Sequence, residues 1–178
     1  FPLGMILINH LNIIDDIFKI KMKYFIINLF IFFTITFGIT LQEIYDNAGP
    51  MNGYEKYLIL NPNEIYSGGI GIYEGNIFIE GNGAIIDLES GVGIWVYSDG
   101  YISANLDISR CSIINGSEYA LSYSGYSSGN ILNCNILNSS IGIKLFDYSQ
   151  VLIKNCNIIN NNIFGIGIYS TTPIVTLS

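Results

Sequence analysis

The phrase Cys111-Ser112-Ile113-Ile114-Asn115 returns as Cys134-Asn135-Ile136-Leu137-Asn138 and again as Cys156-Asn157-Ile158-Ile159-Asn160. The copies stand 23 and 22 residues apart, and a degenerate copy, Gly83-Ala84-Ile85-Ile86-Asp87, precedes the first by 28. Self-similarity at a fixed period of roughly 20–50 residues marks one structural unit stacked on copies of itself. A second phrase follows each copy: Gly93-Ile94-Trp95-Val96-Tyr97, Ala120-Leu121-Ser122-Tyr123-Ser124, Gly142-Ile143-Lys144-Leu145-Phe146 and Gly165-Ile166-Gly167-Ile168-Tyr169. The last is identical to Gly69-Ile70-Gly71-Ile72-Tyr73. A leading segment, such as Leu106-Asp107-Ile108 or Val151-Leu152-Ile153, runs into each Cys strand.

These runs alternate apolar and polar residues, are rich in β-branched side chains, and are punctuated by Gly, Asn and Ser, which is the pattern of short strands. No stretch after residue 40 keeps a helical period. Short strands recurring about every 22 residues predict an all-β fold, a parallel β-helix or solenoid of about five rungs. The crossover preference of parallel strands makes it right-handed. Inward residues then stack in columns one strand spacing apart, about 4.8 Å. One column is Ile113, Ile136 and Ile158; another is Ile70, Ile94, Leu121, Ile143 and Ile166. Cys111, Cys134 and Cys156 form a third, read as small buried hydrophobes, with a disulfide between neighbours as the alternative. Asp87, Asn115, Asn138 and Asn160 form a fourth at the turn, read as a side-chain ladder.

Half of the residues are hydrophobic and 12% are charged, so the chain has apolar surface enough to build a core. The net charge of −7 leaves no basic footprint for nucleic acid. Lys19, Lys21 and Lys23 precede an apolar run over 24–39 that closes on Gly38-Ile39-Thr40. That reads as a secretory signal peptide over 22–40, with an uncleaved membrane anchor as the alternative. Residues 1–21 read as upstream sequence outside the fold, 41–56 as an N-terminal cap and 57–178 as the β-helix. Pro173-Ile174-Val175-Thr176-Leu177 reads as the start of a further rung, so the coil is expected to continue past Ser178. The protein is thus expected to be secreted or held at the cell surface.

The segments Tyr57–Pro62, Ile65–Gly69 and Ile77–Asp87, followed by the repeats, resemble the first coils of secreted right-handed parallel β-helix proteins. The similarity is to the pectate lyase superfamily in the wide sense, and nearest to its bacterial members of unknown activity. It implies the fold and leaves the reaction open, because that superfamily holds lyases, hydrolases, esterases, epimerases, tailspikes and adhesins. Polygalacturonase-like members imply clustered aspartates, a His-Gly and an Arg-x-Lys; residues 41–178 have no His, no Asp-Asp and no Arg-x-Lys. Lyase-like members imply Ca²⁺ held by carboxylates, whereas Asp87, Asp99, Asp107, Glu118 and Asp147 share no column. Arg110, the only arginine, points outward beside Asn82, Asn133 and Asn155 and reads as a solvated side chain.

No catalytic residue, metal ligand or cofactor is therefore assigned. The candidate surface is aromatic. With Ile94 and Val96 inward, Trp95 and Tyr97 face out, and the register aligns Tyr73, Tyr97, Phe146 and Tyr169 in one column, interrupted at Ser124, with Tyr126 close by. Lys144 and the glycines Gly71 and Gly167 flank the row and leave the rings accessible. Two readings are open: rings packed on one another as a structural ladder, or a platform for the faces of sugar rings. The function expected is a binding, adhesive or structural module whose partner is a glycan or another cell-surface polymer. The alternative is a polysaccharide lyase or hydrolase of the pectin type with its catalytic rungs outside this chain; Ca²⁺ enters only there. A membrane contact enters only through 24–39.

Overall fold

A computed structural model describes residues 17–26, 38–169 and 173–178. Two units are distinct, residues 1–38 and residues 39–178. In the first, residues 17–26 are helical, and no described helix is long and apolar enough to cross a membrane. Residues 27–37, the body of the segment read as a signal peptide, lie outside the described residues.

The second unit is a parallel coil of about six turns. Its strands, numbered in chain order, form three sheets in which all pairings between strands are parallel. The first sheet stacks β1 (Ile39–Thr40), β3 (Ile65–Ser67), β6 (Ile85–Asp87), β9 (Ser112–Ile114), β12 (Asn135–Leu137) and β15 (Asn157–Ile159). The second stacks β4 (Gly71–Ile72), β7 (Ile94–Ser98), β10 (Tyr119–Gly125), β13 (Ile141–Leu145) and β16 (Phe164–Ile168). The third stacks β2 (Lys56–Ile59), β5 (Gly75–Glu80), β8 (Ala104–Ser109), β11 (Ser128–Leu132), β14 (Gln150–Lys154) and β17 (Ile174–Leu177). The coil begins at Ile39-Thr40, which pair with Tyr66 and Ser67 although the sequence places them at the end of a leader. The Thr40 side chain caps the helix Leu41–Asn47 by accepting from the Glu43 N–H, and Leu41 is fully buried in the core.

Alternation along the strands sorts the core. Ile94, Leu121 and Ile143 are fully buried in one inward column, and Ile113 and Ile136 in another. Tyr123 breaks the aliphatic series of Val96 and Leu145 with a large ring that is nevertheless fully buried. Gly129 makes the room: a Cβ there would meet the Tyr123 ring and the Leu106 carbonyl oxygen. The Tyr123 hydroxyl donates to that same carbonyl at 2.9 Å, so the buried polar atom is satisfied.

The leading segment and the Cys strand are not one strand. A two-residue corner separates them in the last three turns: Arg110-Cys111, Asn133-Cys134 and Asn155-Cys156. The first residue of each corner is left-handed, with φ of +55°, +53° and +52°, a conformation Asn tolerates better than most residues. The second turns the thiol inward. Cys111 and Cys134 are buried with their sulfurs 3.8 Å apart, Cys156 is half-buried, and all three thiols are free. The Cys111 hydrogen bond, opposed by one from Cys156 and joined by burial, pushes the Cys134 thiol up to about 12.

One register expectation is corrected. In the preceding turn the corner holds four residues, 81–84, so Ile86 pairs with Ile113 and Asp87 with Ile114. Ala84, not Gly83, stands in the cysteine column, and Asp87 lies one position before Asn115. The Asn115 amide still donates to the Asp87 carboxylate at 3.0 Å. No side-chain hydrogen bond joins Asn115, Asn138 and Asn160. What they share is a left-handed backbone, with φ of +64°, +55° and +55°. The amide ladder expected there runs instead along the first sheet, from Asn157 to Asn135 at 2.9 Å and from Asn135 to Ser112 at 3.3 Å. A further rung of the same kind joins two corner residues, from Asn155 to Asn133 at 3.3 Å.

Candidate functional site: the outward aromatic face

The outer face of the second sheet follows from its core. Ile94 and Val96 are buried, so Trp95 and Tyr97 project outward between them. Pairing of Ile72 with Val96 brings Tyr73 level with Tyr97, and Tyr97 pairs with Ser124. Pairing of Leu145 with Ile168 brings Phe146 level with Tyr169. A second outward column runs alongside through Gly71, Trp95, Ser122, Lys144 and Gly167.

The rings fall into two groups. Tyr73 meets Trp95 edge-on at 5.4 Å and 79°, and Trp95 meets Tyr97 at 5.9 Å and 44°. Phe146 stacks on Tyr169 at 5.2 Å and 27°. Ser124 does not leave a bare gap between the groups, because the Trp95 indole N–H crosses to its hydroxyl at 2.8 Å. The glycines are not open flanks. The Tyr73 ring lies back over Gly71, where a Cβ would come within 2.9 Å of it, and the Tyr169 ring over Gly167, within 2.7 Å. Each glycine seats a ring, so one face packs on the sheet and the other meets solvent. Tyr73, Tyr97 and Tyr169 remain 55%, 38% and 46% exposed.

Lys144 stands among three rings, its ammonium 5.0 Å from the centre of Phe146, 5.4 Å from Tyr119 and 5.5 Å from Tyr169. Such contacts hold a cation by the ring quadrupole, and among the described residues no carboxylate pairs with it. Beside the first group, Gln42, Gly71, Tyr73, Gly93, Trp95 and Tyr119 line a shallow depression of about 280 Å³. Burial, with the charge of Glu118 and then of Tyr73, pushes the Tyr119 hydroxyl up to about 12, so it is a neutral donor there. Tyr119 and Gln42 were missed by the sequence reading. Tyr119 pairs with Ile141 and belongs to the sheet by register, but it breaks the alternation used to find outward positions.

Tyr126 is not part of the row. It stacks on Tyr148 at 4.8 Å and 12°, at the corner between the second and third sheets. Tyr148 was also missed; the signal was available, since it follows Tyr126 by one repeat. Another aromatic cluster, Tyr54, Tyr57 and Phe78, covers part of the third sheet. There the buried Asp107 accepts the Tyr54 hydroxyl at 2.7 Å and the Asn130 amide at 2.8 Å.

Arg110 is not simply solvated. Its guanidinium grips Glu80 through both carboxylate oxygens, at 2.9 and 2.8 Å. Burial would push the Glu80 carboxyl up, but Arg110, the Asn82 N–H and the Ser109 hydroxyl together hold it below its ordinary range. Among the described residues no group of three or more His, Cys, Asp or Glu is arranged to hold a metal ion.

Residues 51–178 match the family described as right handed beta helix region. No curated protein matches the chain. No solved structure matches it either.

Proposed function

The chain belongs to the right-handed β-helix family, and from that premise we propose that it is an exported binding module that holds carbohydrate polymers on the outer face of its second sheet. The observation that carries the reading is the Tyr73–Trp95–Tyr97 group: three outward rings on a rigid sheet, beside a depression with polar groups at its rim. Sugar rings present apolar faces ringed by hydroxyls. A half-exposed aromatic supplies the apolar contact, and Gln42, the Tyr119 hydroxyl and backbone groups supply hydrogen bonds, the usual division of labour in a small-ligand site. Trp95 and Tyr97 sit on strand β7, and Tyr73, the residue after β4, is pressed onto Gly71, so little conformational freedom is lost on binding.

The second group extends the surface along the coil axis, and Lys144 adds a cation to it in a chain whose net charge is −7. Export fits the apolar run at 24–39 and the scarcity of charge. Affinity electrophoresis in gels containing one soluble polysaccharide each tests the reading. The protein is expected to be retarded by at least one polymer, and a Tyr73→Ala/Trp95→Ala variant of unchanged circular dichroism is expected to run free. Equal mobility of both proteins in every gel would overturn it.

A further inference from the structure

We infer that Asn138 is a site of N-linked glycosylation. Asn-x-Ser/Thr, with x other than proline, occurs twice in the sequence: Asn115-Gly116-Ser117 and Asn138-Ser139-Ser140. The two lie one turn of the coil apart, at the same corner between the first and second sheets. Their surroundings differ. Asn138 is exposed, is left-handed with φ +55°, and among the described residues its side-chain amide has no hydrogen-bond partner. The corner beneath it is fixed, because Ser139 is fully buried, its N–H donates to the Asn161 side chain at 3.0 Å, and its hydroxyl accepts from the Gly116 N–H at 3.0 Å. The Asn138 side chain therefore stands clear of a rigid turn, where a large hydrophilic substituent disturbs no packing.

Asn115 is half-buried and its amide nitrogen is committed to the Asp87 carboxylate at 3.0 Å. A sugar on that nitrogen would leave a single N–H for the pair and would have to fit between two half-buried side chains. The folded protein accordingly carries its glycan on Asn138 and not on Asn115.

In the transfer, a bond forms between Asn138 Nδ2 and the anomeric carbon of an oligosaccharide. The bond that breaks joins that carbon to a lipid-linked pyrophosphate, which departs as the anion, and the amide gives up one proton. The glycan would project from the corner that leads into β13, at the opposite end of that strand from Phe146.

The test is to direct the full chain into the endoplasmic reticulum of a eukaryotic host with a host signal sequence, which makes the outcome independent of how residues 22–40 behave. The purified protein is expected to lose mass on treatment with peptide-N-glycosidase, with aspartate recovered at position 138 in the peptide spectrum. Asn138→Gln should abolish the mass loss. Ser140→Ala, which keeps the corner asparagine, should do the same, and Asn115→Gln should leave the loss unchanged. Recovery of Asn138 unmodified, or modification confined to Asn115, would overturn the assignment.

Discussion

The indole N–H of Trp95 donates to the hydroxyl of Ser124 across two strands of the second sheet, at 2.8 Å. Ser124 in turn donates to the Val96 carbonyl at 3.3 Å, so a buried hydroxyl fixes the orientation of the ring beside it. Ser124→Ala removes both bonds and is expected to cost about 1 kcal/mol of stability. Trp95 is the only tryptophan, so its emission reports the change directly. The variant should show red-shifted emission and faster quenching by iodide, and an unchanged spectrum would detach the ring from that hydroxyl.

Two glycines predict opposite outcomes. Gly71→Ala brings a methyl against the far end of the Tyr73 side chain, which can lift away. Stability should change by less than about 1 kcal/mol, while polysaccharide retention falls because Tyr73 leaves its seat. Gly129→Ala drives a methyl into the Leu106 carbonyl and the buried Tyr123 ring, neither of which can move freely. Overpacking of that kind costs about 1–3 kcal/mol, and retention of the surviving folded protein should be normal. Urea denaturation alongside the retention assay separates the two effects.

The coil and the outward column were legible because both rest on the period-2 alternation of strands, and Ile94-Trp95-Val96-Tyr97 displays it plainly. The register of the early turn was not. At 81–84 two extra corner residues separate the strands, and Ala84 replaces cysteine, so aligning phrases by their first residue slips by one. Nor were the roles of Gly71, Gly167 and Ser124 legible. Each depends on where a neighbouring ring leans, which residue type alone does not specify. Tyr54 and Asp107 are 53 residues apart, and only the stacking of β2, β5 and β8 brings them together.

Glu80 makes an acid-side contribution to stability. Its carboxyl is held below its ordinary range in the folded chain, so the contribution is present above that range and is lost as pH falls through the lowered folded value. Glu80→Gln should therefore lower stability near neutrality by a modest amount, about 1 kcal/mol or less because the Arg110 partner is exposed, and leave the most acid region unchanged, which flattens the acid limb of a stability–pH profile. An identical acid limb in both proteins would contradict this account of the Arg110 pair.

The stacked thiols predict an order of reactivity. Cys111 and Cys134 are buried and Cys156 is half-buried, and both Cys134 and Cys156 are held protonated by their neighbours and by burial. A thiol reagent at mildly alkaline pH should modify the native protein slowly, with Cys156 first. In denaturant all three should react at once. Rapid loss of Cys134 in native protein would mean that the column opens.

The central claim is that carbohydrate binds against Trp95. The most direct measurement is the emission of that single tryptophan during titration with a soluble oligosaccharide of a polymer that retards the protein. The account predicts a saturable change in intensity and wavelength, abolished by Tyr73→Ala with the fold retained. An emission spectrum that stays constant while the same polymer retards the protein would place binding elsewhere on the coil and leave the outward rings as packing.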